Sequence, residues 1–174
     1  AVFLSHRRAW QRILDDGVDA GLILEDDMSL EPEAFGAALA LASHVAKQGD
    51  YVRFPLRDKE KDRRVVAQDG NVTVTEPVEV GLGMVLQLVS REAAVRLLAA
   101  TITFDRPVDT FAQMKWIHGA RPLTVWPSGA QEISEILGGT TIHSKLPWGA
   151  RLRREVFRPL YRARISQVSR RKLS

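Results

Sequence analysis

A short apolar segment that ends in three consecutive carboxylates constrains the fold of this chain more than any other feature. The segment from Ala20 to Leu24 is almost entirely apolar, which is typical of a strand buried on both faces of a sheet. It stops directly at Glu25, Asp26 and Asp27. Three adjacent carboxylates repel one another, and keeping them ionised beside a buried strand requires a cation or a basic partner. In open α/β sheets, ligands bind outside the carboxyl ends of the strands, which is where these acids are expected.

Predicted helices and strands alternate along the rest of the chain. Helices are expected from Ser5, as N-cap, to Gly17, and over 33–46, 90–100 and 107–119; further strands are expected over 51–54, 72–75, 83–89 and 123–126. This alternation predicts an α/β fold with a mostly parallel or mixed sheet flanked by helices. The mixed charges of residues 57–64 predict a solvated loop.

Length and composition exclude several other classes of protein. The 174 residues suit one domain of ordinary size. No apolar run approaches the roughly 18–20 residues that cross a bilayer, so a membrane-spanning protein is not expected. The chain has no cysteine, which removes disulfides, thiolate zinc sites and cysteine nucleophiles together.

The acidic triplet has two interpretations. In an extended chain, alternate residues point the same way, so Glu25 and Asp27 would face one ligand while Asp26 points elsewhere. Carboxylate oxygens suit Mg²⁺ or Mn²⁺ that bridges to substrate phosphates. The alternative is a solvated acidic turn that caps the following helix.

Four more residues are candidates for chemistry, each with a structural alternative. Ser5 and His6, at the start of a helix, would receive a phosphate, or else form a simple cap followed by an exposed histidine. Asp109 would be a general base, or else a carboxylate favoured by the helix dipole. His143, after two glycines, would contact a metal or phosphate, or else be an ordinary loop histidine.

The last thirty residues form a strongly basic tail. Residues 145–174 contain ten Lys and Arg against Glu155 alone, a charge of +9, whereas residues 1–144 carry 15 basic and 20 acidic side chains, a charge of −5. Apolar residues at helical spacing predict a basic amphipathic helix that binds an anionic membrane surface. Packing against the body is the alternative. The body has no nucleic-acid-binding signature, so no nucleic-acid partner is expected.

Several segments, taken in order, resemble glycosyltransferase family 25, which includes bacterial lipooligosaccharide and animal procollagen galactosyltransferases. The matching segments are Leu4-Ser5-His6 with Trp10 and Ile13, residues 22–27, residues 83–90 with Ala94 and Leu97-Leu98, Pro107-Val108-Asp109, and Ser134 with Ile136. The resemblance spans about residues 2–140, and the acidic motif with the upstream Ser-His is its most specific part.

The resemblance implies a GT-A-like, Rossmann-like fold and inverting transfer of a sugar, often galactose, from a UDP-sugar to a hydroxyl. Glu25, Asp26 and Asp27 match the motif that holds the divalent cation, Mn²⁺ or Mg²⁺, with Asp27 as the first direct ligand. Asp109 matches the position of the base. By the same resemblance, Ser5 and His6 would lie near the nucleotide or diphosphate, and His143 would contact the metal or diphosphate.

The resemblance also defines the expected organisation. Residues 1–144 would be the catalytic domain without the upstream segment that normally helps to bind the nucleotide base, and 145–174 the basic tail. The expected acceptor is a glycolipid or oligosaccharide of lipopolysaccharide type, and the expected location is the cytoplasmic face of a bacterial inner membrane. A non-catalytic GT-A-like binding or adaptor module is the alternative. The strand that usually carries an aromatic residue reads Val85-Leu86-Gln87-Leu88, which would alter substrate contacts.

Overall fold

The elements of the fold come from a computed structural model that describes residues 2–133, 164–165 and 167–169. The helices are α1 (Val2–Asp15), α2 (Pro32–Val45), α3 (Arg91–Ala99), α4 (Val108–Ala112) and α5 (Lys115–His118). The strands are β1 (Ala20–Leu24), β2 (Met28–Leu30), β3 (Asp50–Arg53), β4 (Arg63–Asp69), β5 (Val72–Pro77), β6 (Leu86–Ser90), β7 (Arg121–Trp126) and β8 (Ala130–Glu132).

The central sheet is mixed, and helices flank it as expected of an α/β fold. Its six strands lie in the order β1-β6-β3-β7-β5-β4, while β2 and β8 form a separate antiparallel pair. Among the described strands of the central sheet, β3 and β7 pair in parallel and every other neighbouring pair is antiparallel. The prediction of a mostly parallel sheet is therefore wrong, because β6 enters the sheet between β1 and β3 against the direction of both.

Strand β1 lies at an edge of the described sheet, where it pairs with β6. Gly21 and Ile23 face α1, and the side chain of Ile13 fills the space beside Gly21. Leu22 and Leu24, on the other face, are exposed, because α2, which covers this face, packs mainly over β4, β5 and β7. The strand is confirmed, but its predicted burial on both faces is wrong.

Two of the predicted helix boundaries also change. Helix α1 begins at Val2, so Ser5 lies within the helix, is exposed, and is not its N-cap. Ser90 is confirmed as the cap of α3, since its hydroxyl accepts from the backbone N–H of Ala93 at 3.2 Å. The single helix predicted over 107–119 is two short helices that meet at Met114, and Gly119, with φ of 67°, ends the second.

The charged segment 57–64 is not uniformly a solvated loop. Glu60 is buried and forms an ion pair with the buried Arg53 of β3 at 2.5 Å. Arg63 already belongs to β4, which the sequence did not predict. An alternating run of charges does not reveal that one of them is neutralised by a partner in a neighbouring strand.

The hydrophobic core lies on both faces of the sheet. On one face, α1, α3 and α4 contribute Trp10, Leu97 and Phe111; on the other, α2 covers a cluster that includes Phe54 and Leu123. None of the helices in the described ranges has the length and apolar character that a membrane span requires.

Most of the predicted tail lies outside the described residues, as do the boundary at 144–145, the segment with Ser134 and Ile136, and His143. Of the tail, residues 164–165 and 167–169 are helical. Ile165 is buried and lines a cavity with Val80 and Gln113 of the body. At Ile165 the tail therefore packs on the body, whereas the amphipathic helix expected in residues 145–174 lies mostly outside the described residues and stays a prediction.

A close backbone approach joins the β2–β8 pair to α2. Gly129 precedes β8 with φ of 70°, and a Cβ atom there would overlap the backbone of Phe35 and Ala34 in the first turn of α2. The backbone N–H of Glu31 donates to the Gly129 carbonyl at 2.8 Å, and the Glu31 carboxylate caps α2 by accepting from Ala34 N.

We expect Gly129→Ala to destabilise the protein more than Gly70→Ala, as measured by urea unfolding. Both glycines have positive φ, which costs an L-residue roughly 1–2 kcal/mol. Gly70 has open space around it, whereas Gly129 meets backbone atoms that cannot move independently of α2. Equal losses in the two variants would show that the close approach adds nothing.

Candidate functional site

The first acid of the triplet is held where β1 ends. The backbone N–H of Glu25 donates to the carbonyl of Val85 at 2.8 Å, which extends the β1–β6 pairing by one bond. The chain then turns at Asp26 and Asp27 before entering β2. The premise that residues 25–27 continue an extended strand, with Glu25 and Asp27 on one side, is therefore wrong, because the strand ends at Leu24. The alternative is correct that an acidic turn follows the strand, but the turn leads into β2 and α2 is capped by Glu31.

An open cavity of about 490 Å³ adjoins this strand end. Apolar side chains and backbone form most of its wall, and Glu25 and Asp109 are the two charged residues that line it. The remaining lining residues are Val2, Phe3, Gly83, Met84, Val85, Pro107 and Val108. The structure thus brings together two acidic residues that the sequence singled out separately.

Asp109 reaches the cavity because α4 packs on α1. Val108 and Phe111 are buried, and the ring of Phe111 lies 5.8 Å from that of Phe3 in α1. One carboxylate oxygen of Asp109, Oδ1, accepts from the backbone N–H of Thr110 at 2.7 Å. Asp109 therefore occupies the first turn of a helix, as the structural interpretation expected, and it also lines the cavity; its role as a base stays a prediction.

Two buried side chains anchor the other end of α4. The carbonyl of Ala112 accepts from the Tyr51 hydroxyl at 2.8 Å, and Nε2 of His118 lies 3.3 Å from the same oxygen. Nδ1 of His118 accepts from the Ala120 N–H, so Nε2 carries the proton and donates. Burial lowers the pKa of His118 to about 4 and raises the pKa of Tyr51. Both side chains are therefore neutral donors near neutral pH.

His6 is buried in α1 and reaches the acidic motif. Its Nε2 lies 3.5 Å from Oε1 of Glu25, and its Nδ1 lies 3.5 Å from Nε2 of Gln87 in β6. The alternative of an exposed histidine is wrong. The sequence analysis did not connect Gln87 with His6, although a polar side chain between Leu86 and Leu88 in a buried strand is the signal that singles it out.

Asp26 and Asp27 are the remaining candidates for metal binding. Asp26 is exposed and Asp27 partly buried. Among the described residues, no group of three or more His, Asp or Glu side chains is placed to hold an ion. Neither Asp26 nor Asp27 lines the cavity; both follow Glu25, which does. Because Mg²⁺ is commonly held by one or two carboxylates together with substrate phosphates, two adjacent carboxylates fit such an ion by their chemistry. His143 lies outside the described residues, and Ser5 is not among the residues that line the cavity.

A buried ion pair fixes the wall of the cavity at residues 81–83. Arg53 donates to Oε1 of Glu60 at 2.5 Å and to the carbonyls of Leu82 and Gly83 at 3.3 and 3.0 Å. The same Glu60 oxygen accepts from the Gly81 N–H at 2.7 Å. Arg53 and Glu60 are thus positioning residues for a loop that borders the candidate site.

A second cavity, of about 270 Å³, shares Gly83 and Val85 with the first. Arg57 and Lys59 line it, both exposed, together with Glu132 and apolar residues of 55–56 and 82. The loop of residues 82–85 therefore has an acidic cavity on one side and a cavity with two cationic side chains on the other.

A comparison with known protein families identifies the family of this chain. Residues 1–112 match the family described as glycosyltransferase family 25 (LPS biosynthesis protein), which is more than half of the chain. The chain belongs to glycosyltransferase family 25. Every residue that lines the acidic cavity falls within the matched range, and the resemblance seen in the sequence is confirmed. No curated protein matches the chain.

Variants of the buried Arg53–Glu60 pair test how much this pair contributes to the stability of this glycosyltransferase. We expect Glu60→Leu to lower the free energy of unfolding by about 3 kcal/mol, because it leaves Arg53 buried without its partner. The double variant Arg53→Met/Glu60→Leu should lose less, because no charge remains buried. Urea unfolding of both variants measures the difference.

The control is Asp58→Asn, which removes a more exposed partner from Arg63 and should cost no more than about 1 kcal/mol. A double variant that is less stable than Glu60→Leu would contradict this role of the pair.

Proposed function

We propose that the chain transfers a sugar, galactose in the first instance, from a UDP-sugar to a hydroxyl of a lipopolysaccharide-type acceptor with inversion of the anomeric centre. The observation that supports this most is the single cavity shared by Glu25 and Asp109, within the region that matches family 25. A cavity with apolar walls and two carboxylates suits a sugar, whose C–H faces pack on apolar groups while its hydroxyls donate to acids.

Inversion requires one displacement at the anomeric carbon. In this proposal, the oxygen of the acceptor hydroxyl attacks the anomeric carbon while Asp109 takes the proton of that hydroxyl. The new C–O bond forms as the bond to the UDP oxygen breaks, and UDP leaves with the electron pair. Asp109 suits the role of base because its Oδ2 has no hydrogen-bond partner among the described residues, while Oδ1 is held by Thr110.

A divalent cation, Mn²⁺ or Mg²⁺, belongs to the proposal. Asp27, with Asp26, would hold it, and His143 remains a further proposed ligand or diphosphate contact. When bound, such an ion neutralises negative charge on the leaving diphosphate. Neither Asp26 nor Asp27 has a side-chain partner among the described residues, so both carboxylates are available. Ser5 and His6 remain proposed contacts near the nucleotide or diphosphate, and His6 already touches Glu25.

The cavity lined by Arg57 and Lys59 is proposed for the acceptor. Neither cation has an acidic partner among the described residues, whereas Arg53 and Arg63 each have one and Arg121 has two. Lipopolysaccharide-type acceptors carry anionic groups, and two cations next to the loop at 82–85 would attract them towards the acidic cavity.

The function is tested by separating donor binding from transfer. We expect UDP-galactose to bind in the presence of Mn²⁺ and Asp27→Ala to abolish that binding, because Asp27 is the proposed first ligand. Asp109→Asn should keep donor binding and lose transfer by about 10²–10⁴-fold, as removal of a general base does. Calorimetric titration measures binding, and incorporation of labelled sugar into a lipopolysaccharide-type acceptor measures transfer.

Asp69→Ala is the matched control, since it removes an exposed aspartate at the β4–β5 hairpin, away from the cavity. UDP-glucose, tested in parallel, identifies the sugar. A well-folded chain that binds neither donor would contradict the proposal and favour the non-catalytic adaptor.

We also propose that the basic tail holds the enzyme on the cytoplasmic face of a bacterial inner membrane. The charge of +9 over residues 145–174 supports this, since each basic residue near an anionic surface contributes on the order of 1 kcal/mol. The acceptor, as a glycolipid, would lie in the same membrane.

We expect the chain to cosediment with anionic vesicles but not with neutral ones, and salt to release it. Arg170→Gln/Arg171→Gln/Lys172→Gln should weaken this binding. The same number of changes in the body, Arg8→Gln/Lys47→Gln/Lys61→Gln, should weaken it less. Equal binding to neutral vesicles, or preference for DNA over anionic vesicles, would contradict the membrane role.

A further inference from the structure

A glutamine amide occupies the core of the sheet directly beneath the candidate site. Gln87 of β6 is fully buried. Its Nε2 donates to the carbonyl of Met84 at 3.0 Å and lies 3.5 Å from Nδ1 of His6. A carbonyl oxygen only accepts hydrogen bonds, so the contact with Met84 requires the nitrogen, not the oxygen, of the amide on this side. The chemistry of the partners therefore fixes the orientation of the amide.

This orientation determines which nitrogen of His6 carries the proton. An amide nitrogen has two N–H groups and no lone pair to offer, so a ring nitrogen that faces it must be an acceptor. Nδ1 of His6 is then unprotonated, and the neutral ring carries its proton on Nε2. Nε2 lies 3.5 Å from Oε1 of Glu25, a carboxylate oxygen that can only accept. Each contact in the series has one donor and one acceptor.

Packing alone does not explain a glutamine at this position. The Oε1 atom of Gln87 is buried and has no hydrogen-bond partner in the described part of the chain, and an unpaired buried polar atom destabilises a fold. An apolar residue between Leu86 and Leu88 would avoid this penalty. The amide nitrogen, in contrast, has two partners, Met84 and His6, so the contacts of this side chain are made through its nitrogen.

We propose that Gln87 is a positioning residue: it fixes the Nε2–H tautomer of His6, which in turn holds Oε1 of Glu25 at the rim of the acidic cavity. Oε2 of Glu25 has no partner among the described residues and remains available to a ligand. The effect on donor binding rests on the proposed glycosyltransferase function, whereas the tautomer itself does not. The tautomer of His6 and the effect on donor binding can therefore be disproved independently.

The tautomer is measured by long-range ¹H–¹⁵N NMR spectra of the histidine rings at a pH where His6 is neutral. In the wild-type chain we expect Nδ1 of His6 to have the shift of an unprotonated ring nitrogen and Nε2 that of a protonated one. Gln87→Glu places an acceptor where the donor was, so Nδ1 should become protonated and its shift should move accordingly. Gln87→Met removes the donor without replacing it, while Glu25 still accepts from Nε2–H, so the proton should stay mainly on Nε2 and the His6 shifts should move less than in Gln87→Glu.

His118 is an internal reference, because its own contacts with Ala112 and Ala120 fix its Nε2–H tautomer without Gln87. Unchanged His118 signals show that a variant is folded. Gln68→Glu, an exposed change of the same charge on β4, is the matched control and should leave His6 unchanged. A protonated Nδ1 in the wild-type chain would overturn the proposal even if no variant folds. So would a folded Gln87→Glu chain in which the His6 shifts stay the same.

The consequence for the enzyme is a loss of donor affinity on the order of tenfold in Gln87→Glu, the size of effect that residues behind a primary ligand have. Calorimetry with UDP-galactose and Mn²⁺ measures it. If the wild-type chain binds no donor but His6 has the expected tautomer, the proposed function fails and the role of Gln87 in orienting His6 stands. If the donor binds equally well to wild-type and Gln87→Glu chains, the role of Gln87 in donor binding is wrong.

Discussion

The antiparallel pairing of β1 with β6 is the constraint on which the candidate site depends. Since the two strands run in opposite directions, the end of β1 lies beside the start of β6, and Glu25 meets Val85 through a backbone hydrogen bond of 2.8 Å. The acidic turn and the loop at 82–85 are therefore neighbours by topology rather than by side-chain attraction. Helix α4, packed on α1, then supplies Asp109 to the same cavity.

Three sets of polar side chains hold the loop at 81–83, the last turn of α4 and Glu25 in place. Arg53 and Glu60 bind the loop at 81–83 from the side of β3. Tyr51 and His118 bind the carbonyl of Ala112 in the last turn of α4. Gln87 contacts His6, which in turn contacts Glu25. Each set uses buried hydrogen bonds, which are stronger and more directional in a low-dielectric interior than at a surface. A site assembled from an edge strand and a five-residue helix needs such support.

The sequence predicted local elements well and their environment poorly. Strand β1, helix α2 and the cap at Ser90 follow from apolar runs and capping chemistry, which are local. The exposure of Leu22 and Leu24 depends on which elements pack against β1, and the burial of Glu60 depends on an arginine in another strand; no local pattern contains either fact. Local patterns do not link the acidic motif to Asp109; the family resemblance placed both in one site, and the fold shows that Glu25 and Asp109 line one cavity.

The most direct test of the central claim, that this cavity is where the donor binds, is paramagnetic broadening of backbone amide signals by Mn²⁺ with UDP. At low ratios of Mn²⁺–UDP to protein, the claim predicts that the signals of the proposed ligands Asp26 and Asp27 disappear first, together with those of Glu25, Gly83 and Asp109, which line the cavity. Signals of Gly70 and Asp69, at the far hairpin, should persist. Broadening centred instead on Lys61 and Glu79, which line a different cavity, would contradict it.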